Sequence, residues 1–281
     1  MTTKTGNHEE PTVGKVLPDI VFESTEALLD DYYEGLGLPR PGGDELVPTM
    51  VAGAADNFHS ASAFSQDRGH LWMRQEWDLR APLIAGNSYV AHGRITDIYK
   101  RRDRTVVLTE MTLNDADGQV VVVSNHHQSF LLDAPVEQVE FRDPTKKEGA
   151  RKFKVPAGTP IEPFDATVTL EMCGQYFHGS KSYHTDLKAS QALGFQEVVV
   201  GGRMTMSYIG HLVEQHFGPD FWTSGKLDVK FTNPTWPNDH LTMKGVETGP
   251  LEDDPSRRGA FAWIEKDDGT IVLIATASIA S

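Results

Sequence analysis

The sequence predicts an α+β fold made of two similar units in one chain. Three observations point to it: an internal repeat, a hairpin signal at the same place in each copy, and a helical stripe ahead of each set of strands. The repeat runs from Gln75 to Ile98 (QEWDLRAPLIAGNSYVAHGRITDI) and from Gly225 to Gly249 (GKLDVKFTNPTWPNDHLTMKGVETG). Asp78-Leu-Arg aligns with Asp228-Val-Lys. After a two-residue slip, Pro82 aligns with Pro234 and Gly93 with Gly245, each pair 152 residues apart. Each copy then reaches an acidic turn, Asn114-Asp-Ala-Asp-Gly118 or Lys266-Asp-Asp-Gly269. A β-branched run follows, Val120–Val123 or Thr270–Ile274. Asp-Gly between apolar runs is a hairpin signal, so each unit holds antiparallel strands in the same order. Ahead of the second set, Met204, Tyr208, Ile209, Leu212 and Val213 recur at helical spacing. Ahead of the first set, Met50 to Phe58 in PTMVAGAADNF takes the equivalent place, and its small residues predict close packing. The charged, Pro-rich stretch between the units reads as a linker or an ordered strap. The expected organisation is a first unit over 12–134, a linker over 135–163 and a second unit over 164–281.

Composition narrows the function. The chain has 281 residues, 39% hydrophobic and 23% charged, as an ordinary globular protein does. No run approaches 18 apolar residues, so no membrane helix is expected. Met1 to Pro11 is polar and lacks an apolar core, so no secretory signal is expected. The one cysteine, Cys173, rules out an internal disulfide and a Cys-rich metal site, and fits a cytoplasmic protein. A net charge of −14 opposes binding to phosphate polymers, so nucleic acid is not expected as a partner. His126 and His127 are adjacent in a predicted strand and face opposite ways, so they cannot chelate one ion together; no metal is expected. The basic turns at Lys100–Arg104 and Arg257–Arg258 read as solvated hairpin ends.

The second unit opens with a segment that can carry chemistry. A strand-like run, Val168 to Cys173, leads into a loop, His178-Gly-Ser-Lys-Ser-Tyr-His184. Asp186 is placed to N-cap a short helix, Leu187 to Leu193, which Gly194 can end. Gly201-Gly202 then stands directly before the long apolar helix. This module resembles the signature of the MaoC-like (R)-specific enoyl-CoA hydratases and dehydratases, which have the hotdog fold. Tyr183-His184-Thr185-Asp186 matches the family's His-x-Asp, Gly194-Phe195 its helix end, and Val200-Gly201-Gly202-Arg203 its helix-opening turn. The first unit resembles the degenerate leading domain of double-hotdog members. The resemblance implies two antiparallel sheets, each wrapping a long central helix. It also implies an acyl-CoA or acyl-carrier thioester as substrate partner, and no cofactor.

By the same matching, His184 is the expected base and the Gly202 N–H the expected oxyanion donor, with Gly201, Tyr183 and Arg203 on the substrate. Asn57, on the first helix, could line a pocket between the units. The sequence departs from the family at three places. Gly179 stands where the family has the Asp that shares the catalytic water. Lys181-Ser182 replaces its Asn-Pro, and Gly201 replaces its turn His. His178 is the local candidate for the missing acid, with Ser180 beside it. The chemistry suits these residue types. A histidine near its ordinary pKa of about 6.5 takes a proton from water at neutral pH. Amides at a helix N-terminus lack intrahelical acceptors and can receive an enolate oxygen. The first unit has no counterpart of the histidine loop, since no His lies between Gly35 and Pro48, so one site per chain is expected. The expected function is a hydratase or dehydratase of an enoyl or 3-hydroxyacyl thioester. A hotdog thioesterase or a non-catalytic acyl binder stands as the alternative, and a homodimer is possible.

Overall fold

The computed structural model describes residues 11–40, 46–63, 71–101, 104–130, 153–179, 181–192 and 195–281. The first half contains β1 (Ile20–Glu23), α1 (Glu26–Leu36), β2 (Leu46–Val47), a 3-10 turn (Thr49–Ala52) running into α2 (Gly53–Ala63), β3 (Leu71–Leu79), β4 (Leu83–Ile84), β5 (Ser88–Arg101), β6 (Arg104–Asn114) and β7 (Val120–Phe130). The second half contains β8 (Thr159–Thr167), α3 (Leu170–Tyr176), α4 (Leu187–Ala192), α5 (Gly202–Phe217), α6 (Pro219–Ser224), β9 (Lys226–Phe231), β10 (His240–Pro250), β11 (Arg257–Lys266) and β12 (Ile271–Ala280).

Ten of the strands form one antiparallel sheet, in the order β1-β5-β6-β7-β3-β9-β12-β11-β10-β8, and β2 pairs with β4 in a separate two-stranded sheet. The order on one side of the β3–β9 junction mirrors the order on the other, as the repeat requires. The two half-sheets therefore meet edge to edge, from Arg74 opposite Lys230 to Asp78 opposite Lys226. Each supplies the pairing that the other's inner edge would otherwise lack. Ion pairs reinforce the seam. Arg74 reaches Asp228 with Nε at 2.7 Å and Nη2 at 2.8 Å, and also pairs with Glu76.

Each half-sheet packs on its own central helix, α2 in the first half and α5 in the second. The repeat glycines make room for this. A Cβ on Gly93 would meet the His59 ring of α2 at 3.0 Å. One on Gly245 would meet Ile161 at 3.0 Å and Leu212 of α5 at 3.4 Å. The helical elements also touch across the halves. Gly210 of α5 lies against Met50, and any Cβ there would collide with its side chain. Glu214 accepts the Thr49 N–H at 3.0 Å, and the Tyr208 hydroxyl donates to the Leu36 carbonyl at 3.0 Å. One apolar core runs through both halves.

One sequence reading is corrected. Val168 to Cys173 is not a strand: Thr169 accepts the Met172 N–H at 3.2 Å and starts α3, which carries Cys173 into the core. A capping threonine outweighed the β-branched pair before it. The stretch 135–163, read as a linker or an ordered strap, is described only from Phe153; strand β8 (Thr159–Thr167) begins within it, runs past its end and pairs with β10. Ser180 and Gly194 lie outside the described residues.

Candidate active site

The site is built around the first turn of α5. Gly201 is its N-cap, with extended backbone (φ −62°, ψ 136°) and no side chain to cap the helix. The amides of Gly202 and Arg203 thus open the helix without intrahelical acceptors, at the positive end of its dipole. His184 is held beside this turn. Its Nδ1–H donates to the Val199 carbonyl at 2.7 Å, because a carbonyl can only accept. That bond leaves the lone pair of the neutral ring on Nε2. The imidazole stacks on Phe177, centroids 5.2 Å apart and planes 14° off parallel. The same Phe177 ring fills the space that a side chain at Gly201 would need, where a Cβ would also lie 3.6 Å from His184 Cγ. Glycine at 201 is therefore the counterpart of phenylalanine at 177.

Gly202 faces the first half. A Cβ there would lie 3.3 Å from Phe231 and 3.5 Å from Trp72, the latter on β3. Trp72 in turn packs on His126 at 4.4 Å and on Phe231 at 5.7 Å. His126 contacts Gln128 Oε1 through Nε2 at 2.7 Å, and its neighbour His127 turns to the opposite face, towards Glu76 and Tyr99. Phe177, Trp72, Phe231 and His126 were not anticipated. Trp72 reaches Gly202 only through the β3–β9 seam, and no local pattern announces that.

The other expected site residues divide. Arg203 is buried, its guanidinium over the rings of Tyr176 at 5.0 Å and Phe177 at 5.2 Å. Tyr183 lies against His184, centroids 3.9 Å apart, and stacks with Phe195. Burial pushes its hydroxyl well above the ordinary tyrosine range, so it stays neutral. Its carbonyl accepts the Val199 N–H at 3.3 Å, which ties the loop to the strip preceding α5. Asp186 caps α4, accepting the Ala189 N–H at 2.9 Å. His178 adopts φ 56° and turns its Nδ1 to Asp31 of α1, a carboxylate that also accepts from Gln175 at 2.5 Å. The structure thus commits His178 to α1. Gly179 follows with φ +66° and open space about it. Asn57 is half-buried on α2, beside the exposed Phe58.

Two buried acids lie on the central helices. Burial pushes Asp56 up to about 7, although Ser124 at 2.6 Å and Gln75 at 3.2 Å donate to it. It pushes Glu214 up to about 8. The Cys173 thiol is pushed up to about 11, which makes it a poor nucleophile at neutral pH. Among the described residues no three His, Cys, Asp or Glu side chains gather to hold a metal, and no helix is long and apolar enough to cross a membrane.

Comparison with known proteins bears on the fold that carries this site. Residues 165–259 match the family model of the MaoC like domain. Full-length peroxisomal multifunctional enzyme type 2 from Drosophila melanogaster superposes with a TM-score of 0.72 at 16% identity, over 95% of this chain. The chain spans 48% of the length of that enzyme. A MaoC-like dehydratase from Phytophthora capsici superposes with a TM-score of 0.68 at 14% identity, covering 96% of each chain. A Mycobacterium tuberculosis protein with a double hotdog fold gives 0.63 at 13% identity, covering 96% of each chain. No curated protein matches the sequence. Residues 165–259 therefore match the MaoC like domain, and the chain as a whole has a double hotdog fold.

Proposed function

We propose that the protein is a hydratase or dehydratase of an acyl thioester, with its reaction centre between His184 and the N-terminus of α5. The observation that carries this reading is the Phe177 ring. It stacks on the imidazole and seats against Gly201, and so holds His184 beside the first turn of α5, which supports its reading as the base. In the hydration direction, His184 Nε2 takes a proton from water as the hydroxyl adds to the β-carbon of an enoyl thioester. The electron pair of the double bond moves onto the thioester oxygen, which the Gly202 N–H receives. The imidazolium then returns its proton to the α-carbon, so the elements of one water are added. Dehydration is the reverse. Glycine at 202 lets the thioester carbonyl approach the backbone without a side chain in the way.

A panel of trans-2-enoyl-CoA thioesters tests the reading. Wild type should deplete the absorbance of the conjugated thioester. His184→Ala should slow this by about 10²–10⁴, the usual worth of a positioned acid/base group, with little change in the binding of a saturated analogue. Release of free thiol would identify a thioesterase instead. Binding with neither change would identify an acyl carrier or sensor, and either result sinks the proposal.

A further inference from the structure

Arg203 is a buried cation with no carboxylate partner among the described residues. It is 8% exposed, and its Nε has no hydrogen-bond partner. Among the described residues no carboxylate pairs with it, although the chain has 40 acidic residues against 26 basic ones. What surrounds it is aromatic and backbone, with the Tyr176 hydroxyl as a neutral hydrogen-bonding neighbour. Tyr176 and Phe177 offer their ring faces, and its stem lies against the start of α2, where a Cβ on Gly53 would be 3.3 Å from Arg203 Cδ. It also stands in the first turn of α5, where the helix dipole is already positive and disfavours a cation. Ring faces offset part of the desolvation of a guanidinium, but they do not replace the carboxylate that buried arginines ordinarily hold.

We infer that the acyl group of the substrate carries a carboxylate, and that Arg203 binds it; this rests on reading the site as one for acyl thioesters. The juxtaposition is specific. Arg203 and His184 both lie 5.2 Å from the centre of the Phe177 ring. The guanidinium and the imidazole are therefore at most twice that, 10.4 Å, apart, a span that an acyl chain of several carbons covers with its double bond at the base and its carboxylate at Arg203. The guanidinium lies between the halves rather than at the surface, so it suits the acyl end better than the coenzyme phosphates, which keep their charge in water.

The test uses pairs of trans-2-enoyl thioesters of equal length, one ending in methyl and one in carboxylate. Each pair is made on coenzyme A and on N-acetylcysteamine, which has no phosphate. Wild type should favour the carboxylated member by about 10–100-fold in kcat/KM, the worth of a charged hydrogen bond, on both carriers. In Arg203→Met, checked for folding by thermal melting, that ratio should fall towards one; Arg203→Lys should retain part of it and guards against a variant that does not fold. Two results overturn the inference while leaving the hydratase reading intact: a wild-type ratio near one, or a ratio that Arg203→Met leaves unchanged. A loss in Arg203→Met confined to coenzyme A thioesters, whatever the acyl end, would assign the anion to phosphate and also overturns it. Should no enoyl thioester react, the hydratase reading fails. Calorimetry with carboxylated and methyl-ended acyl-CoAs then decides the inference: a preference lost in Arg203→Met supports it, and equal binding overturns it.

Discussion

His184 owes its proposed role to one hydrogen bond. Donation from Nδ1 to the Val199 carbonyl fixes the tautomer, and Phe177 fixes the ring plane. His178, six residues earlier, has the same side chain in a different situation. It is 45% exposed and bound to Asp31, on a helix of the first half. His178→Ala should therefore lower turnover by less than about tenfold, well short of the range for a positioned acid/base group, and cost no more than about 1 kcal/mol of stability, as for exposed ion pairs. Turnover and thermal melting of the same variant check both. The sequence motif put His184, Asp186 and the glycine pair in one module, because their placement depends on local spacing. It could not locate Phe177 as the stacking partner, since aromatic residues carry no spacing rule, or Trp72, which lies 130 positions from Gly202. An aspartate does stand beside the histidine loop, but α1 supplies it, and it meets His178.

At the scale of elements, the contact between Gly210 and Met50 sets how closely α5 approaches the first half. Gly210→Ala improves helix propensity by about 1 kcal/mol, yet its methyl would enter the space of the Met50 side chain. Overpacking of this kind costs about 1–3 kcal/mol, so the variant should be less stable than wild type, and chemical denaturation reads the difference. The central helices themselves were legible, α5 from its apolar stripe and α2 from its small residues. Helix α3 was not. Val168 and Thr169 look like the start of a strand until the threonine hydroxyl is seen to cap a helix. The strand β8 was hidden for a related reason, since its sequence TPIEPFDAT has two prolines and little alternation. Pro160 and Pro163 are accommodated because β8 is the outer edge of the sheet.

Across the whole molecule, two buried acids link stability to pH. Glu214 has its pKa raised from 4.5 to about 8, and Asp56 from 3.8 to about 7. Between each pair of values the folded protein keeps a proton that the unfolded chain has lost. Stability therefore falls as pH rises through these windows, by up to about 1.4 kcal/mol per pH unit for each group. Melting temperatures measured from about pH 4 to 8 should decline accordingly, and Glu214→Gln should flatten the upper part of the curve. The overall plan of two alike units was readable from the 152-residue offset, because the same strand order must recur to bury the same kind of helix. The edge-to-edge joining of the units follows from leaving neither inner edge bare.

The β3–β9 seam also governs how the chain reaches this state. Its partners, Leu71–Leu79 and Lys226–Phe231, lie some 150 positions apart, whereas β5, β6 and β7 pair with their neighbours in sequence. Closing so long a loop costs entropy before any contact rewards it. Hairpins within each half are therefore expected to form before the seam closes. Until it does, each half carries a naked strand edge able to pair with any other nascent copy, and the period between synthesis of β3 and synthesis of β9 is when the protein is most exposed to aggregation.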